Sequence, residues 1–183
     1  MKKLIVFTDC GDTLVDESTQ IFCDCGETVV SAGLIDGARE ELETLCREGF
    51  RVAMVADGSV VSFGNIIRQH RLEDFFEVRI ISEELGCCKP DERMFFTAME
   101  RMGLGEEDIS RIVMIGNNLK RDVTGANRLG ICSVLLDFSP RYCMVPENEE
   151  EIPDYTVSMP CEIPALLERL EELYIETGTI KRI

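Results

Sequence analysis

Charged and small polar residues follow apolar runs at four points of the chain, a placement that suits a phosphate or metal site. The first run leads into the stretch FTDCGDTLVDE, in which Asp9 precedes a turn that contains Gly11 and Asp12. Carboxylates and carbonyls are the oxygen ligands that Mg²⁺ takes. A carboxylate can also attack a phosphoryl group once cations reduce the repulsion between them. The residues at the other three points are Asp57, Gly58 and Ser59; Lys89; and Gly116, Asn117, Asn118 and Asp122.

Apolar runs alternate with helical patterns along the chain, which predicts an α/β fold with a parallel sheet. We predict strands over residues 3–8, 51–56, 76–81, 111–115, 131–138 and 155–158, and helices over 37–49, 60–70, 91–102, 121–129 and 164–175. Parallel sheets bind ligands beyond the carboxyl ends of their strands. The four polar groups are therefore expected to meet at one edge of one sheet.

Length and charge limit the classes of protein to consider. A chain of 183 residues is long enough for one domain with a substantial core, so we predict a single domain over 1–183. A formal net charge of −16 argues against a nucleic-acid partner, whose phosphates need basic residues. No apolar run reaches the ~20 residues that cross a bilayer, and the start of the chain lacks a signal-peptide pattern. We therefore expect no membrane partner and a cytoplasmic location.

The nine cysteines are expected to be reduced thiols in a chain of this kind. Structural zinc is the alternative for Cys23-Asp24-Cys25 and for the pair Cys87-Cys88. Neither group has the CxxC spacing of a zinc site, and His70 is the only histidine of the sequence. The spacing therefore favours thiols over a zinc centre.

Two long segments of the sequence resemble the haloacid dehalogenase (HAD) superfamily. The run ISEELGCCKPDERMFFTAMERMGL and the following IVMIGNNLKRDVTGANRLGI look like the third and fourth motifs of that superfamily, at their usual spacing. With the stretch around Asp9, the resemblance covers roughly residues 3–138. It implies a three-layer, Rossmann-like sheet. It also implies a Mg²⁺-dependent hydrolase, most often a phosphatase that works through an aspartyl-phosphate.

The resemblance assigns a role to each of the polar groups at the strand ends. Asp9 has the position of the nucleophile, and Lys89 would place an ammonium group beside both Asp9 and the phosphoryl group. The implied Mg²⁺ ligands are Asp9, the carbonyl of Gly11, Asn117 and Asp122. The implied substrate-binding residues are Asp57, Gly58, Ser59 and Lys89.

Three positions depart from the superfamily pattern. Gly11 stands where the phosphatases usually carry the aspartate that protonates the leaving oxygen, and Asp12 comes one residue later. We predict Asp12 as a displaced proton donor, because general acid–base catalysis is worth ~10²–10⁴ in rate. Ala56 replaces the usual Ser or Thr of the second motif, and Asn117 replaces the first Asp of the fourth.

The segment that could form a cap over the site is short. Residues 15–36 are too few for a cap domain, so we predict a short flap and an essentially capless protein. An open site suits a phosphorylated small-molecule substrate, and a second subunit could close it into a homo-oligomer.

The departures leave three functions to compare. The leading hypothesis is a Mg²⁺-dependent phosphatase. The alternative is a catalytically weak or inactive protein that binds phosphate and metal on the same scaffold. A dehalogenase ranks below both, because family dehalogenases lack the second aspartate but use a larger cap.

Overall fold

A computed structural model describes residues 2–24, 26–139 and 141–181, and shows eight strands in two sheets among them. Six strands form a parallel sheet in the spatial order β5-β4-β1-β6-β7-β8, and an antiparallel hairpin joins β2 to β3. The strands are β1 (Ile5–Thr8), β2 (Val15–Phe22), β3 (Val29–Leu34), β4 (Arg51–Ala56), β5 (Val78–Ile81), β6 (Ile112–Gly116), β7 (Cys132–Leu136) and β8 (Tyr155–Val157).

Helices cover both faces of the parallel sheet. They are α1 (Ala38–Glu48), α2 (Val60–His70), α3 (Ser82–Leu85), α4 (Glu92–Arg101), α5 (Thr124–Leu129) and α6 (Ile163–Thr177). A π-helical turn over Leu119–Val123 leads into α5. Short 3₁₀ turns cover Glu73–Phe75, Glu106–Arg111, Glu149–Glu151 and Pro160–Glu162.

Two apolar cores lie on opposite faces of the sheet because successive strand side chains point to opposite sides. Val6 of β1 packs with residues of α1, α2 and α6, whereas Phe7 packs with residues of α4 and α5. The fold is therefore the predicted three-layer α/β arrangement. The predicted strands and helices are all present, with ends that differ by a few residues. The prediction of a single domain over 1–183 stays a prediction.

The segment predicted as a flap is the β2–β3 hairpin, which rests on α2. Val29 donates a backbone hydrogen bond to Ser62 (3.1 Å) and accepts one from the Asn65 side chain (2.9 Å). The Gln69 amide pairs in the same way with both backbone groups of Ala32. Most of β2 is exposed or half-buried, so its sequence lacks the apolar alternation by which a strand is predicted. The sequence therefore does not predict β2 as a strand.

The cysteines and apolar helices add two findings. The described free thiols are Cys10, Cys46, Cys87, Cys88, Cys132, Cys143 and Cys161. Cys23 is disulfide-bonded, contrary to the expectation of reduced thiols, and Cys25 lies outside the described residues. Among the helices of the described ranges, none is long and apolar enough to cross a membrane.

Glu41 of α1 is a buried acid with an unsatisfied carboxyl oxygen in the described part of the chain. Its Oε2 has no hydrogen-bond partner among the described residues, and burial raises the pKa of its carboxyl group well above the usual range. A carboxyl group whose pKa is higher in the folded than in the unfolded state favours folding fully only at pH values below its unfolded pKa. This contribution to stability is lost as the pH rises through the folded pKa. Glu41 therefore destabilises the folded protein near neutral pH.

We expect Glu41→Met to raise the free energy of unfolding at pH 7 by about 1–3 kcal/mol. The gain should shrink as the pH falls toward 4, because Glu41 is then neutral in both states. Urea denaturation at several pH values measures this. Glu40→Met is the matched control, since Glu40 is an exposed acid of the same helical turn. An equal gain at every pH would contradict a raised pKa of the buried Glu41 carboxyl group.

Candidate active site

A small cavity of about 30 Å³ lies at the carboxyl edge of the sheet, beyond β1, β4 and β6. The residues that line it are Asp9, Gly11, Glu17, Asp57, Lys89, Asn117, Asn118, Arg121, Asp122 and Tyr142. The structure thus brings together most of the residues selected from the sequence. It does not bring Asp12, Gly58 or Ser59 to the cavity wall, and it adds Glu17, Arg121 and Tyr142. A cavity of this size has room for an ion or a water molecule.

Lys89 is the buried cation of the site, with a side chain only 1% exposed. Its ammonium group donates hydrogen bonds to Asp9 Oδ1 (2.7 Å) and to the carbonyl of Val55 (2.6 Å), and lies 2.6 Å from Asp122 Oδ1. Burial by itself lowers the pKa of a lysine, but Asp122 and Asp9 outweigh it and raise the pKa of Lys89 above its usual range. Lys89 therefore carries a positive charge between the two carboxylates.

Asp9 is fixed at the end of β1 by contacts to both sides. Its backbone N–H donates to the carbonyl of Ile115 in β6 (2.8 Å). One carboxylate oxygen accepts from Lys89, and the other accepts a long hydrogen bond from the Thr13 hydroxyl (3.4 Å). The carboxylate is buried but lines the cavity, so it is held in one orientation next to open space.

Asp122 reaches the site from the π-helical turn after β6, and Gly116 makes room for it. A Cβ at position 116 would lie 2.6 Å from Asp122 Cβ and closer still to the carboxyl group, so a larger residue would displace this acid. Asn118 N–H donates to Asp122 Oδ2 (3.0 Å). Burial raises the pKa of the Asp122 carboxyl group, and the nearby Asp9 carboxylate raises it further. Lys89 has a lowering effect that does not outweigh them.

Asp57 forms the β4 side of the cavity, whereas the next two residues face elsewhere. Asp57 Oδ1 accepts from the backbone N–H of Lys89 (2.9 Å), and its Oδ2 lies 3.6 Å from an Arg121 guanidinium nitrogen. Burial raises the pKa of the Asp57 carboxyl group. Gly58 N–H donates to the Ser82 hydroxyl (2.9 Å). Ser59 precedes α2 and makes no side-chain hydrogen bond that caps it.

Asp12 is turned away from the cavity by its own contacts. Its carboxylate accepts hydrogen bonds from Glu17 N–H and the Ser139 hydroxyl, both at 3.0 Å, and lies 3.0 Å from Arg141 Nε. Glu17, which lines the cavity, also binds the Arg141 guanidinium. Burial raises the pKa of the Glu17 carboxyl group. The sequence carries no pattern that identifies Glu17 as a site residue, because β2 lacks the apolar alternation by which a strand is predicted.

The donor set of the cavity fits a divalent metal ion. Asp9, Gly11, Asn117 and Asp122 line the cavity and carry carboxylate, carbonyl or amide oxygens, the type of ligand that Mg²⁺ prefers. Asn117 Nδ2 is a buried side-chain atom with no hydrogen-bond partner in the described part of the chain, whereas Asp122 Oδ1 lies 2.6 Å from the Lys89 ammonium group. The described carboxylates of the lining outnumber its cations, Lys89 and Arg121. Within that part of the chain no three His, Cys, Asp or Glu residues cluster as metal ligands, so neutral oxygens must complete the set.

Curated phosphatases of archaea and bacteria are similar to this chain over part of their length. The glyceraldehyde 3-phosphate phosphatase of Pyrococcus furiosus is 30% identical over 149 residues, which are 81% of this chain and 58% of that protein. The corresponding phosphatase of Methanopyrus kandleri is 32% identical over 63% of this chain and 48% of its own length. The phosphoserine phosphatase of Thermus thermophilus is 32% identical over 61% of this chain and 42% of its own. The chain thus spans about half the length of these relatives.

Solved structures share the fold. A HAD phosphatase from Thermococcus onnurineus superposes with a TM-score of 0.72 at 16% identity, over 90% of this chain and 97% of that chain. YfnB from Bacillus subtilis, a structure bound to magnesium, has a TM-score of 0.64 at 27% identity over 74% of this chain and 56% of its own. A family model described as haloacid dehalogenase-like hydrolase matches residues 11–130. The chain belongs to the haloacid dehalogenase-like hydrolase family.

Proposed function

We propose that this protein is a Mg²⁺-dependent phosphatase that acts through an aspartyl-phosphate on Asp9. The observation that carries the proposal is the Asp9 carboxylate, which is oriented by the buried Lys89 and faces a cavity rich in oxygen donors. The names of the curated relatives support phosphate ester hydrolysis, and the magnesium bound by YfnB supports the choice of metal.

Asp9 and Lys89 act directly on the phosphoryl group in the proposed mechanism. An Asp9 oxygen forms a bond to phosphorus while the bond from phosphorus to the leaving oxygen breaks. Lys89 offsets negative charge beside the phosphoryl oxygens and keeps Asp9 in the attacking orientation. Water then attacks phosphorus, the bond to Asp9 breaks, and phosphate leaves. Bound Mg²⁺, held by Asp9, Gly11, Asn117 and Asp122, supplies further charge neutralisation.

The substrate class follows from the size and charge of the site. The cavity of about 30 Å³ is too small for more than the reacting group, so the rest of the substrate lies outside it. Among the described elements, the β2–β3 hairpin is the one that takes the place of a cap. We propose phosphorylated small molecules as substrates and, given the net charge of −16, no nucleic acid. A cytoplasmic location and closure of the site by a second copy are further expectations.

We expect purified protein to release phosphate from small phosphate esters only with Mg²⁺ present. The panel comprises glyceraldehyde 3-phosphate, phosphoserine, ribulose 1,5-bisphosphate and 4-nitrophenyl phosphate. Release should stop with a chelator and return when Mg²⁺ is restored in excess, because the carboxylates of the site otherwise repel the phosphoryl group.

Two other outcomes would reject the phosphatase. A thermal shift with Mg²⁺ and beryllium fluoride, without turnover of any ester, would favour a non-catalytic binding protein. Chloride release from a haloacid without metal would instead favour a dehalogenase.

A further inference from the structure

The space where a side chain at position 11 would lie is occupied by the carboxyl group of Glu17. A Cβ added to Gly11 would lie 2.9 Å from Glu17 Cδ and closer still to Oε1. The φ angle of Gly11 is outside the left-handed region, so the backbone there would accept other residues. The three heavy atoms nearest to such a Cβ all belong to the Glu17 side chain. Glu17 therefore brings a carboxyl group to the place from which the phosphatases of this family present an aspartate.

Two residues outside the hairpin, Asp12 and Arg141, hold Glu17 in this position. Glu17 N–H donates to Asp12 Oδ1 (3.0 Å), and Glu17 Oε2 binds the guanidinium group of Arg141. Arg141 is in turn fixed by Asp12 Oδ2, 3.0 Å from its Nε. Glu17 Oε1 makes none of the hydrogen bonds found among the described residues. The side chain is 23% exposed and lines the cavity.

We propose that Glu17 is the catalytic proton donor that replaces the missing aspartate, an inference that rests on the proposed phosphatase function. When Asp9 bonds to phosphorus, the Glu17 carboxyl group gives its proton to the leaving oxygen, which departs as an alcohol. When water attacks the aspartyl-phosphate, Glu17 takes a proton from that water and is neutral again. Each turnover therefore returns Glu17 to its starting state, and phosphate carries the oxygen that came from water.

Asp12 has a different task in this assignment. The sequence predicts it as the displaced donor, whereas in the structure its carboxylate accepts from Glu17 N–H and the Ser139 hydroxyl and pairs with Arg141. Asp12 is a positioning residue that holds the Arg141 guanidinium and the start of β2. Because the aspartate stands at position 12 and not at position 11, its carboxylate contacts Glu17 N–H and Arg141.

The first test is Glu17→Gln, which keeps the shape of the side chain and its acceptor for Arg141. Turnover of an alkyl phosphate such as glycerol phosphate should fall about 10²–10⁴-fold, because the alkoxide then leaves without a proton. The first turnover of 2,4-dinitrophenyl phosphate should keep the wild-type rate in a stopped-flow burst, because dinitrophenolate leaves unprotonated. Asp9→Asn, measured alongside, should lose both.

The second test exchanges the two carboxylates. Gly11→Asp alone should lower the melting temperature, because the new side chain meets Glu17. The double variant Gly11→Asp with Glu17→Ala removes this clash and should recover the melting temperature. It should also turn over glycerol phosphate at least tenfold faster than Glu17→Ala alone.

The outcomes separate the two ideas. Glycerol phosphate turnover by Glu17→Gln within twofold of wild type would overturn the role of Glu17 and leave the phosphatase intact if Asp9→Asn is inactive. Loss of the dinitrophenolate burst in Glu17→Gln would also overturn it, since a purely structural role predicts that loss. An active Asp9→Asn, or a wild type inactive on every ester, would reject the proposed function and this inference with it.

Discussion

Asp9→Asn is expected to lower the rate of phosphate release by about 10⁴-fold or more. An amide oxygen is a far weaker nucleophile than a carboxylate, and the variant also loses one negative charge from the proposed metal site. The fold should survive, because an Asn side chain can still accept the 2.7 Å hydrogen bond from Lys89. Steady-state assays with 4-nitrophenyl phosphate and saturating Mg²⁺ measure the loss.

Trapping the covalent intermediate adds a direct readout. Rapidly quenched wild-type protein should carry a phosphoryl group on the peptide that contains Asp9, and Asp9→Asn should carry none. Asp16→Asn is the matched control, since Asp16 lies on the hairpin and accepts from Ser18 outside the cavity. Phosphate release by Asp9→Asn at the wild-type rate would reject Asp9 as the nucleophile.

Lys89→Met is expected to lower the free energy of unfolding at pH 7 by about 3–5 kcal/mol, because it leaves two buried carboxylates without their cation. Asp9 Oδ1 and Asp122 Oδ1 lie 2.7 and 2.6 Å from the ammonium group that the variant removes. The same change should abolish phosphate release, since no other described cation contacts Asp9. Guanidinium chloride denaturation without metal measures the stability.

The loss of stability in Lys89→Met should depend on pH. The pKa of Lys89 is raised in the folded state, so its stabilisation is complete at all pH values below the pKa of an unfolded lysine. The variant also removes the lowering effect of Lys89 on the pKa of the buried Asp122 carboxyl group, which burial raises. The deficit should therefore be largest near neutral pH and shrink as the pH falls toward 4.

A surface lysine provides the control for the loss of a charge. Lys2→Met removes a partly exposed lysine paired with Glu168 at the opposite edge of the sheet, and should cost at most about 1 kcal/mol. If Lys89→Met were no less stable than Lys2→Met, the central ion pairs would not be a main source of stability.

The sequence by itself determined the sheet and most of the site, because both depend on local patterns. The apolar run of β1 and the helical periods specify strands and helices before any long-range contact is known. A parallel sheet then brings its strand ends to one edge. Asp9, Lys89 and Asp122, each placed after a strand, meet there for this reason.

Only the tertiary structure decided which acid stands beside Gly11. Asp12 is adjacent to it in sequence, but the backbone of Asp12 turns through a positive φ of 50° and directs its carboxylate to Ser139 and Arg141. Glu17 reaches the cavity because the hairpin folds back over the turn and because Arg141, 124 residues further along the chain, binds its carboxylate. The contact between Glu17 and Arg141 has no periodic signal in the sequence, since it depends on where two distant segments of the chain lie in the folded protein.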